Sequence, residues 1–294
     1  MNHNNGWFVL RSNIKPGVTK GAVKWIITPN VVADWMYQPV IQTSQIGYHP
    51  AQDKEAVIEM DIRDNRKETA QIIRIDADGE KVVKNVTPAN WGKFLRYNYL
   101  KVDFTDVKEP GLYKIKYDTS VSPIFRIDND VYARGVWQPV LEYFLPVQMC
   151  HMRVNEKYRV WHDCCHMDDA QMAPAHNHID GYDQKEGLSK FKPGEVVPGV
   201  NIGGWHDAGD FDLRIESQAG ESYILALAYE AFHPNLDVTS IDQINRVTEI
   251  HQPDGKNDLL QQVENGALTV VNGYLALGRL YRGIICNDLR QYVL

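Results

Sequence analysis

The pattern of apolar and polar residues changes halfway along the chain. In the first half, residues 55–62 (EAVIEMDI) and 111–117 (GLYKIKY) alternate between the two types, and residues 71–84 form two such runs around Asp78-Gly79. A two-residue period places successive side chains on opposite faces of a strand, and Asp-Gly is typical of a hairpin turn. Short strands separated by turns predict an antiparallel β-sandwich.

In the second half, apolar residues recur at the spacing of an α-helix. One helix is predicted over residues 216–232, and a second from Asp258, as its cap, to about Leu277, with Gly278 as the stop. Residues 153–215 are rich in His, Asp, Gly and Pro and are predicted to form a long loop region. Loops of this length are usually functional.

The change of period divides the chain into domains. We expect a β-domain over residues 40–128 and a helical domain over residues 129–294. Residues 1–39 contain two strand-like pieces, Trp7–Leu10 and Lys24–Ile27, and are interpreted as the tail of an upstream domain.

Composition and charge exclude several classes of protein. The 294 residues include 44% hydrophobic types, enough to bury a core, so wholesale disorder is excluded. The 31 basic and 38 acidic side chains give a net charge of −7, which argues against nucleic acid or an anionic membrane as the main partner. No apolar run approaches the ~20 residues of a membrane span. The first residues, MNHNNGW, lack the basic and apolar regions of a secretory signal.

The densest group of chemically active residues is GGWHDAGD, residues 203–210. Asp207 and Asp210 stand three residues apart with Ala-Gly between them, so both carboxylates can share one side of a tight turn. Such a pair can hold and deprotonate a water molecule in a hydrolase. The alternative is structural, because aspartate is also common at the start of a helix.

Three of the four cysteines, Cys150, Cys164 and Cys165, crowd into 16 residues beside several histidines. Four cysteines are too few for a disulfide framework, and their clustering indicates a metal site or chance. The fourth, Cys286, is expected in the core. The pairs His162/His166 and His176/His178 are either alternative metal ligands or ordinary surface residues.

The motif GGWHDAGD resembles the signature of glycoside hydrolase family nine, the inverting endo-β-1,4-glucanases. Three further segments support this resemblance. QIGYHP (45–50) is similar to the start of the immunoglobulin-like domain in one branch of the family, FRI (125–127) to the domain junction, and DLLQQ (258–262) to the helix after the signature. The resemblance covers about residues 40–294. It implies a multidomain β + α fold, an immunoglobulin-like β-sandwich followed by part of an (α/α)6 toroid.

The resemblance also implies catalytic roles. Asp210 matches the family's general base and Asp207 the partner that orients the water. The general acid would be a glutamate from far down the catalytic domain, and no segment here matches it. The 164 residues after residue 130 are also fewer than the about 190 that twelve helices with short loops need. We therefore expect a truncated catalytic domain that does not hydrolyse glycosidic bonds alone.

The family branch with this domain arrangement carries a zinc ion. Position by position, the resemblance assigns a structural Zn²⁺ site to Cys150, Cys165, His166 and His206, leaving Cys164 as the spare thiol. Two other groups are weaker candidates. The first is an acidic loop, which either binds Ca²⁺ or is exposed to solvent without an ion. The second is a set of three aromatic residues, which either stack on sugar rings or pack in the core. The acidic residues are Asp163, Asp168 and Asp169, and the aromatic residues are Trp161, Tyr182 and Trp205.

The leading expectation is hydrolysis of a β-1,4-glucan (cellulose, mixed-linkage glucan or xyloglucan) by inversion. The full-length protein would act outside the cytoplasm, in the extracellular space or the periplasm, where polymeric glucan is met. The alternative from another class is a non-catalytic, zinc-stabilised fragment. It would bind carbohydrate or self-associate through the exposed face of a half-barrel. A different α/α-barrel glycosidase is the second alternative.

Overall fold

A computed structural model describes residues 9–174, 178–179, 182–183, 187, 189–207, 211–287 and 290–293. The chain forms two compact units. The first comprises Met1–Gln45 and Ala51–Phe125, and the second comprises Ile46–Pro50 and Arg126–Leu294. The domain limits expected from the sequence remain a prediction.

The first unit contains two antiparallel sheets, with strand orders β1-β2-β6-β5 and β4-β3-β7-β8. Residues Asp76 and Gly79 are paired, so the predicted hairpin is confirmed, and its two-residue turn is Ala77-Asp78 rather than Asp78-Gly79. Lys24–Ile27, predicted as a strand, is irregular. The strands are β1 (Val40–Gln42), β2 (Glu55–Asp61), β3 (Ala70–Asp76), β4 (Gly79–Val86), β5 (Ala89–Phe94), β6 (Tyr97–Asp103), β7 (Gly111–Tyr117) and β8 (Ser120–Val121).

The alternating pattern explains how the first unit is held together. Ala56, Ile58 and Met60 of β2 are almost completely buried, whereas the residues between them face outward. Leu100 and Val102 of β6 are buried in the same way. Burying each large apolar side chain contributes about 1.5–3 kcal/mol before the entropic cost of folding. A slip of one residue in the strand pairing would turn these side chains outward, so their burial fixes the register of the strands.

Strand β9 (Phe125–Ile127) spans the point where the chain passes from the first unit to the second. The second unit has a four-stranded sheet of order β11-β10-β17-β16, a second of order β12-β19-β18-β15, and the pair β13-β14. Its strands are β10 (Arg153–Glu156), β11 (Arg159–His162), β12 (Gln171–Met172), β13 (His178–Ile179), β14 (Tyr182–Asp183), β15 (Leu213–Arg214), β16 (Thr239–Asp242), β17 (Val247–Ile250), β18 (Gly283–Asn287) and β19 (Arg290–Val293).

The helices of the second unit are a π-helical turn (Val140–Phe144), α1 (Leu145–Gln148), α2 (Ile215–Phe232) and α3 (Asp258–Leu277). The two long helices confirm the sequence prediction, and α3 ends at Gly278 with φ +73° as expected. Its cap is Asn257, whose side chain accepts a hydrogen bond from the Leu259 N–H, and not Asp258. None of the described helices is both long and apolar enough to span a membrane.

Two expectations about the second unit need correction or remain open. The stretch 153–215 is not one long loop, because it contains β10–β15. Helices α2 and α3 pack against each other as one helical hairpin, and the larger toroid remains a prediction.

Candidate functional site

Four side chains predicted as zinc ligands converge in the second unit. Donor atoms of Cys150, Cys165, His166 and His206 all lie within 4.8 Å of one another. The sulfur of Cys165 is 3.2 Å from Nε2 of His206 and 3.9 Å from the sulfur of Cys150. The sulfur of Cys150 is 3.5 Å from Nδ1 of His166. Cys150 is buried and the other three are half-buried, so the cluster lies at the edge of the core.

Backbone pairing places two members of this cluster side by side. The Cys150 N–H donates to the Gly204 carbonyl at 3.0 Å, and the His206 N–H donates to the Gln148 carbonyl at 2.9 Å. Between these bonds, Met149 and Trp205 form an antiparallel bridge. The end of α1 therefore runs alongside the GGWHD segment, which fixes Cys150 next to His206.

The two thiols of the cluster differ in acidity. A hydrogen bond from Cys150 lowers the pKa of the Cys165 thiol far below its usual range, and His162 and His206 lower it further. Burial raises the pKa of Cys150 well above its usual range. The thiolate is the form that binds a metal, and the direction of this shift favours that form at Cys165. Cys164, the spare thiol, instead approaches the Arg246 carbonyl at 3.8 Å.

A buried histidine–aspartate pair, missed in the sequence, supports the same region. Nε2 of His151 lies 2.9 Å from an oxygen of Asp169, and Nδ1 lies 3.3 Å from the Gly203 carbonyl oxygen. Both side chains are almost fully buried. Asp169, expected in a solvated or calcium-binding loop, therefore belongs to the core and faces a histidine. No local signal in the sequence points to this pairing, because Asp169 lies 18 residues from His151 along the chain.

Close packing fixes the turn that leads to the aspartates. Gly203 has φ +76°, and a Cβ there would lie 2.3 Å from the Asn265 carbonyl oxygen. The Trp205 side chain is 1% exposed, and its indole N–H donates to Gln262 at 3.0 Å. A buried indole offers no face to a sugar ring, so Trp205 is a core residue and not the stacking platform that was expected.

A backbone hydrogen bond joins Asp207 to Asp212, on the far side of the GGWHD segment. The Asp207 N–H donates to the Asp212 carbonyl at 2.8 Å, and the Asp207 carboxylate is half-exposed. One Asp207 oxygen lies 3.9 Å from Nε of Arg214. Loss of hydration, and then the charge of Asp207, raises the pKa of Glu221. Asp210 lies outside the described residues.

The chain is similar to several known proteins. Residues 36–122 match the model of the cellulase N-terminal ig-like domain. Endoglucanase D of Acetivibrio thermocellus is 22% identical over 238 residues, covering 80% of this chain and 34% of that protein. A Zn-binding triple mutant of GH family 9 endoglucanase J30 is 22% identical with a TM-score of 0.62, covering 84% of this chain and 44% of that one. A Bacteroides ovatus GH9 protein is 19% identical with a TM-score of 0.61, covering 87% and 45%.

The chain resembles family-nine glycoside hydrolases with an N-terminal immunoglobulin-like domain. It spans about a third of the length of the curated relative and less than half of the solved ones. At these identities the likeness to the solved family-nine structures shows the fold.

The structure gives different outcomes for the other two predicted aromatic residues, Trp161 and Tyr182. Trp161 is exposed, with the Arg159 guanidinium 4.8 Å from its ring centre and Tyr143 packed edge-on at 6.4 Å. It stays a candidate for stacking on a sugar. Tyr182 pairs with Ile179 through the backbone, and its side chain lies outside the described residues.

Proposed function

We propose that this chain carries the general-base side of an inverting glycosidase that acts on β-1,4-glucan, with Asp210 as base and Asp207 as its partner. The observation that supports this most is the half-exposed Asp207 carboxylate. It stands at the start of a loop closed by the Asp207–Asp212 hydrogen bond and directly after His206 of the Cys/His cluster. The loop ends are therefore held while the carboxylate faces solvent.

In this mechanism Asp210 removes a proton from the water that attacks the anomeric carbon. Asp207 accepts the water's second hydrogen bond and so directs its lone pair at the sugar. Inversion requires a carboxylic acid across the sugar, about 6.5–9.5 Å from the base, to protonate the leaving oxygen. Asp207 and Asp210 are three residues apart in the sequence, so the acid must come from another segment.

The Cys/His cluster fits a structural zinc ion. Two sulfurs and two imidazole nitrogens form a donor set that suits tetrahedral Zn²⁺, and the groups around Cys165 favour its thiolate. Bound by Cys150, Cys165, His166 and His206, the ion would join the end of α1 and the 165–166 turn to the residue before Asp207. Four protein ligands leave no open position for water, so the ion would hold the loop and take no part in hydrolysis.

The rest of the domain assignment is proposed on the same basis. Residues 40–128 form the immunoglobulin-like domain and residues 129–294 the beginning of an (α/α)6 toroid. Helices α2 and α3 expose large apolar side chains that the remainder of a toroid would cover, including Tyr223, Ile224 and Leu275. The substrate is cellulose, mixed-linkage glucan or xyloglucan, met in the extracellular space or periplasm.

The decisive experiment uses both this chain and the polypeptide encoded by its complete reading frame. Each is incubated with a soluble β-1,4-glucan, reducing ends are counted, and proton NMR records the anomer first released. We expect α-anomer from the longer polypeptide, and loss of turnover by at least about a hundredfold in Asp210→Asn. Retention of the β-configuration, or full activity in Asp210→Asn, would contradict the assignment.

Zinc is tested separately by elemental analysis of protein purified without added metal. We expect one equivalent of zinc in the wild type and loss of most of it in Cys165→Ser. Cys164→Ser is the matched control, since that thiol contacts the Arg246 carbonyl and should leave the metal content unchanged. Equal zinc content in both variants would overturn the ligand assignment.

The alternative function is a zinc-stabilised, non-catalytic fragment that binds carbohydrate or self-associates. The exposed apolar residues on α2 and α3 favour it, because such a surface is typical of an interface. Light scattering over a range of concentrations separates the two proposals. Dimerisation of this chain that is lost in Leu275→Glu, with no hydrolysis by the longer polypeptide, would support the alternative.

A further inference from the structure

The outer face of the sheet β1-β2-β6-β5 in the first unit is rich in aromatic side chains. Residues of β6 alternate, so that Asn98, Leu100 and Val102 are buried while Tyr97 and Tyr99 face outward. In β5 the strand register shifts between Asn90 and Gly92, and Trp91, at this shift, packs against Tyr99 on the outward face. We call Trp91, Phe94, Tyr97 and Tyr99 the aromatic face.

Three members of the aromatic face, Trp91, Phe94 and Tyr99, line a shallow cleft of about 260 Å³. Its walls are Val57, Trp91, Phe94, Tyr99 and Lys101, which come from three neighbouring strands. The Trp91 side chain is 57% exposed and that of Phe94 is 58% exposed. Large aromatic groups this exposed are costly in water, and a cleft lined by them with a few polar groups is typical of a ligand site.

Contacts among the rings hold the face in one geometry. Trp91 packs edge-on against Tyr99 with ring centres 5.6 Å apart, and Tyr97 lies 6.1 Å from Tyr99. The Tyr99 and Tyr37 hydroxyls each donate to the Glu59 carboxylate at 3.1 Å. Because the rings are already fixed, a ligand would not have to order them on binding.

The charged side chains around the cleft favour a neutral ligand over an ionic one. Lys101, the cation in its wall, is paired with Glu55 at 2.6 Å, and Glu59 accepts from two tyrosines. An ionic ligand would have to displace one of these pairings, whereas a neutral ligand would not. The carboxylates of Glu55 and Glu59 retain acceptor capacity for hydroxyl groups.

We propose that the aromatic face is a carbohydrate-binding site, separate from the Asp207 loop, for a neutral, unbranched chain of hexopyranose units. Equatorially linked sugars present a flat face of C–H groups edged by hydroxyls. That chemistry matches aromatic rings edged by carboxylates. Only the choice of β-glucan as the probe rests on the proposed function.

The test measures binding of cellohexaose and of soluble mixed-linkage β-glucan to the full 294-residue chain by titration calorimetry. Trp91→Ala should weaken binding at least about tenfold, and Trp91→Phe should recover part of the loss. Trp25→Ala is the matched control, an exposed tryptophan of the same unit outside the aromatic face, and should bind like the wild type. Near-identical circular dichroism spectra would show that the variants are folded.

Three outcomes would overturn the proposal. One is wild-type affinity in Trp91→Ala. Another is affinity lost in Trp161→Ala but not in Trp91→Ala, which would place the sugar in the second unit. The third is that the wild-type chain self-associates without binding sugar and Trp91→Ala abolishes this self-association. The aromatic face would then be a protein interface. Asp210→Asn should keep the affinity at this site, so failure of this proposal and failure of the hydrolase assignment can be told apart.

Discussion

Buried side chains stabilise the two units in different ways. The strands of the first unit bury mainly aliphatic groups such as Ile58 and Leu100, and the polar side chains buried in that unit include Asp64 and Asn98. The GGWHD segment of the second unit is surrounded by buried polar groups, among them His151, Gln218 and Gln262. Apolar burial is non-directional and roughly proportional to area, whereas a hydrogen-bond network depends on each partner.

This difference fits the proposed function. Under that proposal the second unit holds one loop so that Asp207 points at a defined place, which requires contacts with direction. We therefore expect the second unit to be the more sensitive to the loss of a single polar group.

The largest expected effect is in His151→Ala. This change leaves the buried Asp169 carboxylate without its partner, and losing one member of a buried pair costs about 3–5 kcal/mol. The free energy of unfolding, measured by urea titration, should fall by that amount. Asp169→Asn, which keeps an acceptor oxygen of the same size, should cost less. If His151→Ala lowered the free energy of unfolding by less than about 1 kcal/mol, the second unit would not be the more sensitive of the two to the loss of a polar group.

A second effect appears in the pH dependence of stability. Burial raises the pKa of Asp258 to about 6, partly offset by N–H donors of Val238 and Thr239, and the nearby Asp237 and Asp254 raise it further. The folded chain therefore binds this proton more tightly than the unfolded chain, whose Asp pKa is about 3.9. The stabilisation is complete below about pH 4 and is lost as the pH rises through 6.

Asp258→Asn should remove this pH dependence, because its side chain carries no charge at any pH in this range. The rise of the Asp258 pKa from about 3.9 in the unfolded chain to about 6 in the folded chain corresponds to about 3 kcal/mol. We expect the difference in unfolding free energy between pH 4 and pH 7 to shrink by up to that amount. Asp254→Asn serves as the control, since it removes a neighbouring charge and the ion pair with Lys256 but leaves the titrating Asp258 carboxyl in place. An unchanged pH profile in Asp258→Asn would contradict the prediction.

The same contrast explains which features the sequence could predict. The hairpin of β3 and β4 and the end of α3 at Gly278 depend on local signals, and both were predicted. Strands β16 and β17 were missed, because four residues each are too few to show a period.

Within the candidate site, the sequence could predict residues but not their burial. The cluster of Cys150, Cys165, His166 and His206 was predicted only through the family resemblance, since spacing alone left rival pairs open. The pairing of His151 with Asp169 and the burial of Trp205 depend on partners 18 and 57 residues away. No local pattern encodes such contacts.

The smallest expected effect is in Ile58→Val, which removes one methylene from a fully buried side chain of β2. Such a change costs about 0.5–1.5 kcal/mol, since the neighbours relax into part of the space. Val83→Thr, at an exposed position of β4, should change the unfolding free energy by less than about 0.5 kcal/mol in the same urea titration. If Ile58→Val instead cost as much as His151→Ala, the sandwich would be no more tolerant than the polar network. The directional contacts around Asp207 could then no longer be attributed to the demands of a catalytic loop.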